Sequence, residues 1–169
     1  VNTTTTGNAA DFGDLTVARK KTNLGASNSI IGLFGGGDTP SRSDVIDFIT
    51  MSSTGNAVDF GNLLAANNGL SGTASSTRAI WMGGTAPSTT NVIQFVEIDT
   101  KGNAADFGDL ATATQNSSCS SSSTRAVLNG GYAGGGVSTL TFVTMASQGN
   151  SIDFGDKTEE SDSCGGTSN

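Results

Sequence analysis

A nine-residue segment that occurs four times constrains this chain more than any other feature of its sequence. The copies occupy residues 7–15, 55–63, 102–110 and 149–157, and each contains Asp-Phe-Gly. Their phenylalanines lie 48, 47 and 47 residues apart, at Phe12, Phe60, Phe107 and Phe154. A fixed period of this length is typical of proteins that are built from repeated structural units.

Each repeat contains short segments with the composition of β-strands. An apolar run ends in a glycine pair, a second apolar run follows, and a Gly-containing turn leads to the Asp-Phe-Gly segment. Two apolar runs joined by such a turn predict a β-hairpin. The pairs Gly35-Gly36, Gly83-Gly84 and Gly130-Gly131 each begin 23 residues after the preceding phenylalanine. This alignment places the one extra residue of the first spacing in the loop near Gly37.

The composition favours strands over helices. The chain has 169 residues, 24 of them glycine, and it is rich in Ser, Thr and Asn. Such a mixture disfavours helix and suits short strands with tight turns. We therefore predict an all-β domain over residues 1–169, made of four-stranded antiparallel sheets of about 47 residues each. Complete units are expected at 16–63, 64–110 and 111–157, with partial units at 1–15 and 158–169.

Sheets with two apolar faces must pack against one another. Radial packing of four-stranded sheets gives a β-propeller, and a β-solenoid is the competing fold. Three complete units do not close a ring, so we expect part of a longer propeller, a ring completed by other copies, or an open fibre. Within each unit the phenylalanine of Asp-Phe-Gly is expected to fill the space between sheets, and the aspartate to cap the turn.

The pattern resembles the kelch repeat. The matching features are the glycine pair after an apolar strand, a phenylalanine in the next strand, the phenylalanine of Asp-Phe-Gly, and Arg19 shortly after the first copy. The phenylalanines of the second strand are Phe48, Phe95 and Phe142. Kelch repeats typically carry Tyr and Trp at these two aromatic positions, and Arg19 has no equivalent in the later units. The Thr-Gly-Asn-Ala-x-Asp-Phe-Gly-Asp-Leu motif is also similar to repeats in kelch-like proteins of phages and environmental bacteria.

The resemblance implies where a ligand would bind. In kelch-type propellers the ligand face is formed by loops between the second and third strands and between blades. The corresponding candidates here are Asp38, Arg42, Thr89 and Tyr132, together with Thr39, Thr85 and Ser88.

The residues that carry most enzyme chemistry are scarce. The chain has no histidine, and its formal net charge is −7. Without histidine the usual base at neutral pH is missing, and two cysteines alone make no zinc site. An acidic chain with scattered Lys and Arg argues against nucleic acid. No apolar run approaches the length of a membrane span. We therefore expect no enzyme activity, no cofactor, no metal, no nucleic-acid partner and no membrane segment.

Two kinds of covalent modification are open. Cys119 and Cys164 follow successive Asp-Phe-Gly copies and either form a disulfide or are small buried thiols. Asn2 and Asn116 begin N-glycosylation patterns, which occur by chance in a chain this rich in Asn, Ser and Thr.

These observations favour a structural function. The first hypothesis is a non-catalytic structural or adhesive module of an extracellular filament or a virion appendage such as a tail fibre. It would assemble with itself or with other segments that complete the propeller. The alternative is a propeller that binds a cell-surface glycan or a receptor.

Overall fold

A computed structural model describes residues 6–22 and 25–166 of the chain. Every regular element in this part of the chain is a β-strand, and the strands form three separate sheets. The first sheet contains β1 (Ala26–Ser27), β2 (Ile31–Gly35), β3 (Ser43–Thr50) and β4 (Val58–Asn67). The second contains β5 (Ser71–Ala74), β6 (Arg78–Met82), β7 (Val92–Glu97) and β8 (Ala105–Asp109). The third contains β9 (Ser118–Ser121), β10 (Arg125–Asn129), β11 (Val137–Thr144) and β12 (Ile152–Ser161).

Each sheet is a four-stranded antiparallel meander, which confirms the predicted all-β, repeated architecture. Neighbouring strands in sequence are neighbours in the sheet. The registers are equivalent, because Phe48 faces Leu33, Phe95 faces Ile80 and Phe142 faces Val127. The three sheets do not form a closed ring.

The glycine pairs correct the alignment that the sequence suggested. By register, Gly35 corresponds to Met82 and Asn129. The pair equivalent to Gly83-Gly84 is therefore Gly36-Gly37, and not Gly35-Gly36. Both members of this pair have positive φ in all three units, whereas Gly35 does not. The extra residue of the first unit thus lies before β2 and not in the loop near Gly37. Counting spacings alone failed because Gly35, Gly36 and Gly37 form a run of three.

The Asp-Phe-Gly segments of the three complete sheets form β-bulges. Consecutive residues of β3, Ile46 and Asp47, pair with Gly61 and Asp59, so Phe60 is left without a partner in the ladder. The same shift skips Phe107 in the second sheet and Phe154 in the third. A bulge re-aims the side chain of its extra residue, and the glycine that follows has positive φ in each case. The motif therefore directs one aromatic ring onto one face of each sheet.

Those rings contribute to the packing between sheets. Phe60 is 4% exposed, in a cluster with Leu33 and Ile46 of its own sheet and with Trp81 and Val96 of the second sheet. Phe107 is 2% exposed, in the equivalent cluster between the second and third sheets. Each bulged ring also meets the phenylalanine of the preceding strand edge-on, at centroid distances of 6.1, 5.7 and 6.0 Å.

The prediction that all four phenylalanines fill the space between sheets is wrong for the two outer copies. Phe12 is 37% exposed and Phe154 is 54% exposed. Phe60 and Phe107 are covered by the sheet that follows them, and no further sheet covers Phe154 among the described residues. Phe12 lies in the segment before the first sheet. Residues 6–22 of this segment form no sheet of their own.

Residues 12–20 contact the first sheet without forming a regular strand. Arg19 makes an ion pair with Asp47, and both side chains are almost fully buried. The hydroxyl of Thr16 also donates to Asp47 (2.7 Å). A buried carboxylate needs such partners, because burial of an unpaired charge is costly. This ion pair fixes the N-terminal segment on the sheet.

Two glycines in equivalent bulges allow the packing to be tested. A Cβ at Gly61 would overlap the carbonyl oxygen of Gly102, whereas no described residue lies within 4 Å of a Cβ at Gly155. Both have positive φ, so both substitutions carry backbone strain. We expect Gly61→Ala to lower the free energy of unfolding by about 2–3 kcal/mol more than Gly155→Ala, because only the first overpacks an interface. Denaturant unfolding of the two variants measures the difference, and equal losses would contradict this packing.

Candidate functional site

One set of hydrogen bonds recurs wherever two units meet, and it involves the signature residues. The amide of Gly55 donates to the carbonyl oxygen of Phe12 (2.8 Å), and the amide of Ala57 donates to that of Asp14 (2.8 Å). In return the amide of Asp14 donates to Oδ1 of Asn56 (3.0 Å). We name this arrangement the latch. It joins the Phe-Gly segment of one unit to the Gly-Asn turn of the next.

The latch occurs three times in the described chain. Between the first and second sheets, the backbone amides of Gly102 and Ala104 donate to the carbonyl oxygens of Phe60 (3.0 Å) and Asn62 (2.7 Å). The backbone amide of Asn62 donates to Oδ1 of Asn103 (3.0 Å). Between the second and third sheets, the backbone amides of Gly149 and Ser151 donate to the carbonyl oxygens of Phe107 (2.8 Å) and Asp109 (2.9 Å). The backbone amide of Asp109 donates to Oδ1 of Asn150 (3.0 Å). The repeated residues Gly, Asn, Phe and Gly are thus used in contacts between units.

One half of the latch is without its counterpart at each end. The Phe-Gly segment of the third sheet, residues 154–156, has no Gly-Asn turn against it among the described residues. The first Gly-Asn turn, residues 7–9, is exposed, and no described residue lies within 4 Å of a Cβ at Gly7. The two unmatched halves are chemically the same as those that bind each other inside the chain.

The predicted ligand residues fall on equivalent loops that follow the glycine pairs. Asp38, Thr85 and Tyr132 take the same position, and each forms an isolated bridge to the segment leaving the preceding unit. Asp38 accepts from Nδ2 of Asn68 (2.7 Å). Thr89 accepts from Nε2 of Gln115 (3.3 Å). Asp38 and Thr89 therefore take part in contacts between units.

Arg42, Ser88 and Tyr132 are the predicted loop residues that are exposed, and Tyr132 is 40% exposed. They lie on different loops at the same end of the sheets. Sequence reasoning missed Asn68 and Gln115 as partners of these loops, although their spacing of 47 residues equals the repeat period.

The electrostatic environment of Asp38 favours its charged form. The hydrogen bond from Asn68 is the largest cause that lowers the pKa of Asp38, Lys21 adds to it, and desolvation opposes both. Nζ of Lys21 lies 3.4 Å from the carboxylate but is itself well exposed, so the ion pair adds little.

The predicted disulfide is not formed in the structure, where both thiols are free. Cys119 lies in the core between the second and third sheets, and burial raises the pKa of its thiol. The segment that contains Cys164 and Gly166 runs along Ser118, since a Cβ at Gly166 would lie 3.1 Å from Oγ of Ser118. Successive side chains of a strand point to opposite faces, so Cys119 faces away from this segment. Cys164 instead contacts Ser161 (2.9 Å).

The two predicted glycosylation residues differ in what the structure shows. Asn2 lies outside the described residues. Asn116 is half-buried with φ of 55°, and its amide donates to the carbonyl oxygen of Gly69 (2.8 Å). A Cβ at Gly69 would lie 2.8 Å from Oδ1 of Asn116. Glycosylation of both asparagines stays a prediction.

Two of the concave regions that the sequence did not indicate differ in size and lining. A cavity of about 50 Å³ between the second and third sheets is lined by Leu110, Leu128 and Thr141, among others. It is far smaller than a typical small-molecule site. An open groove of about 670 Å³ crosses all three sheets at the turns between their first and second strands. Its lining is rich in hydroxyls and includes Asn28 and Asp99.

Comparison with protein-family models finds no family that matches this chain, and comparison with curated proteins finds no match either. In the described part of the chain no group of three or more Cys, Asp or Glu side chains could hold a metal ion. Nor does that part contain an apolar helix long enough to cross a membrane.

The contribution of the latch asparagine to stability can be measured by comparing Asn103 with Asn8, the same motif position where the described residues show no latch. We expect Asn103→Ala to lower the free energy of unfolding by roughly 0.5–1 kcal/mol, because the amide of Asn62 loses its partner. Asn8→Ala changes the same motif where the structure shows no latch, and it should change stability by less than about 0.5 kcal/mol. Thermal and denaturant unfolding compare the two variants. A loss as large in Asn8→Ala as in Asn103→Ala would contradict the assignment.

The lowered pKa of Asp38 gives a pH dependence. Because the pKa of Asp38 is lower in the folded than in the unfolded chain, its stabilisation is present above the unfolded value of about 4 and is lost as pH falls through the folded value. We expect the stability difference between the natural chain and Asp38→Asn to shrink on acidification below about pH 4. Urea unfolding of both proteins between neutral and acidic pH measures this difference. A difference that stays constant would exclude this carboxylate as a contributor.

Proposed function

We propose that this chain is a non-catalytic structural or adhesive module of an extracellular filament or a virion appendage such as a tail fibre. The observation that carries the proposal is the threefold latch. The residues that define the repeat bind the next unit, so the repeated sequence encodes assembly of sheets. This use of the signature favours a scaffold over a catalyst.

The propeller arrangement belongs to this proposal. Four-stranded antiparallel sheets stacked through equivalent apolar faces are the elements of a β-propeller. The resemblance to kelch repeats supports the same arrangement, and kelch-like proteins of phages motivate the placement outside the cell. Self-assembly, or completion of the array by other segments, then supplies the missing neighbours of the outer sheets.

A second candidate, glycan or receptor binding, is favoured by the groove of about 670 Å³. Its serine hydroxyls, Asn28 and Asp99 offer the donors and acceptors that sugars require, and Ile30 at its edge is 61% exposed. Arg42 and Tyr132 at the other loops offer a second surface. A glycan array with the natural chain and a Ser76→Trp variant tests this candidate. Binding that the tryptophan removes supports it, and an array without binding argues against it.

The structural proposal is tested by locating the protein. Antibodies against the chain should label filaments or virion-like particles in the extracellular fraction of its source, as seen by immunogold electron microscopy. The reason is that a scaffold is found in the assembly that it supports. Label that is confined to the cell interior, with none on particles or filaments, would reject the proposal. Labelling with pre-immune serum is the control.

A further inference from the structure

The outer face of the third sheet repeats the faces that are buried inside the chain. Val127, Leu140, Phe142 and Phe154 stand where Ile80, Ile93, Phe95 and Phe107 stand in the second sheet. The second-sheet residues are buried against the third sheet, whereas Phe154 is 54% exposed and the other three are half-buried. The face therefore has the composition of a sheet interface, but no sheet in the described part of the chain covers it.

The bulge at Gly155 leaves room for a latch. A Cβ at Gly13, Gly61 or Gly108 would overlap the carbonyl oxygen of a glycine in the next Gly-Asn turn. No residue that the structure describes lies within 4 Å of a Cβ at Gly155, although its φ is positive as well. A fourth Gly-Asn turn would fit there with the geometry that the chain already shows three times.

The first sheet carries a turn of that kind at residues 55–57. In this chain the turn is bound by an N-terminal segment that has the same sequence as part of the third sheet. Residues 12–14 bind the turn at residues 55–57 through the latch. Those three residues, Phe-Gly-Asp, are identical in sequence to residues 154–156. The N-terminal segment thus holds, within one chain, the place that the third sheet of another copy could take.

Charges at the two ends support this pairing. Lys157 stands where Leu63 and Leu110 stand, three residues after the bulged phenylalanine and beside the glycine pair. Asp47 stands where Thr141 stands, since both occupy the same register opposite the Asp of Asp-Phe-Gly. Leu110 and Thr141 line one cavity between the second and third sheets. In an equivalent contact between copies, Lys157 would therefore meet Asp47.

The hydroxyl that Asp47 needs is also present in the third sheet. Thr158 lies four residues after Phe154, as Thr16 lies four residues after Phe12. In the present chain Thr16 and Arg19 bind Asp47. Thr158 and Lys157 offer a replacement hydroxyl and a replacement cation, so the buried carboxylate keeps partners when the segment is exchanged.

We propose that the outer face of the third sheet binds the first sheet of a second copy, with residues 154–156 displacing residues 12–14 from the turn at 55–57. This inference rests on the proposed structural function and names its partner. The N-terminal segment competes with the second copy, so it sets how readily copies join head to tail. An end that binds the other end of the next copy gives an open array or a ring.

Sedimentation velocity of the full-length chain over a range of concentrations tests the proposal. The natural chain should associate as its concentration rises. Gly13→Val, whose side chain would overlap Gly55, should loosen the N-terminal segment and tighten association by roughly tenfold or more. Gly155→Val should weaken association by a similar factor, in the natural chain and in the Gly13→Val background. Lys157→Glu should also weaken it, because the new carboxylate would meet Asp47.

Three further variants make the result specific. Gly134→Val is the matched control for Gly155→Val, because Gly134 also has positive φ and no described residue lies within 4 Å of a Cβ built there. This variant should leave association unchanged. Phe12→Ala loosens the same N-terminal segment if Gly13→Val does not fold. Asn8→Ala should have no effect. If it weakens association, the turn at residues 7–9 is the partner of residues 154–156, and the exchange is wrong.

Two other results would overturn the exchange. Either the natural chain, Gly13→Val and Phe12→Ala all stay monomeric at the highest concentration, or association persists undiminished in Gly155→Val. Both results leave the proposed structural function standing when immunogold label is found on filaments or particles, since another segment would then cover the face. Absence of that label rejects the structural function independently of the association measurements.

Discussion

The rest of the structure depends on the bulge at Asp-Phe-Gly. The extra residue in the outer strand turns Phe60 and Phe107 onto the face that the next sheet covers. The glycine that follows lets the neighbouring turn approach so closely that a Cβ would overlap its carbonyl oxygen. Apolar burial and the latch therefore arise from the same three residues. Since these residues recur at every boundary, one local backbone feature determines how all the sheets are spaced and aligned.

The polar residues between the sheets show how an acidic chain tolerates close packing. The same strand position carries Asp47, Gln94 and Thr141 in the three sheets. Asp47 has Arg19 and Thr16 as partners, and Gln94 accepts from the amide of Leu64 (2.8 Å). Oγ1 of Thr141 is buried without a hydrogen-bond partner among the described residues and lines the small cavity. The shorter side chain leaves both the cavity and the unpaired oxygen, so this boundary is less complete than the other two.

Much of the fold could be predicted from the sequence, because each copy of the repeat contains the same strand-forming segments in the same order. The period predicted three four-stranded units, and the hairpins and antiparallel order were confirmed. The register of the glycine pairs was not predictable by counting, since three consecutive glycines allow two alignments, which strand register and backbone φ distinguish. Exposure of Phe12 and Phe154 was missed because identical motifs have different neighbours at the ends. The latch was missed for a similar reason, since Asn56 and Asn103 contact residues about forty positions away.

The energetics of such an array follow from its neighbours. In a quasi-one-dimensional stack, stability is close to a sum of unit terms and interface terms. The second sheet has two interfaces through its faces, with Phe60 buried on one side and Phe107 on the other. Within the described part of the chain the third sheet has one such interface, and much of its outer strand is exposed. The first sheet takes its second set of contacts from the N-terminal segment, through the ion pair of Arg19 with Asp47 and one latch. Among the described residues no such segment lies over Phe154, so a further sheet bound there would cover a face that is now exposed. Association through this face and the stability of the third sheet would therefore be thermodynamically linked.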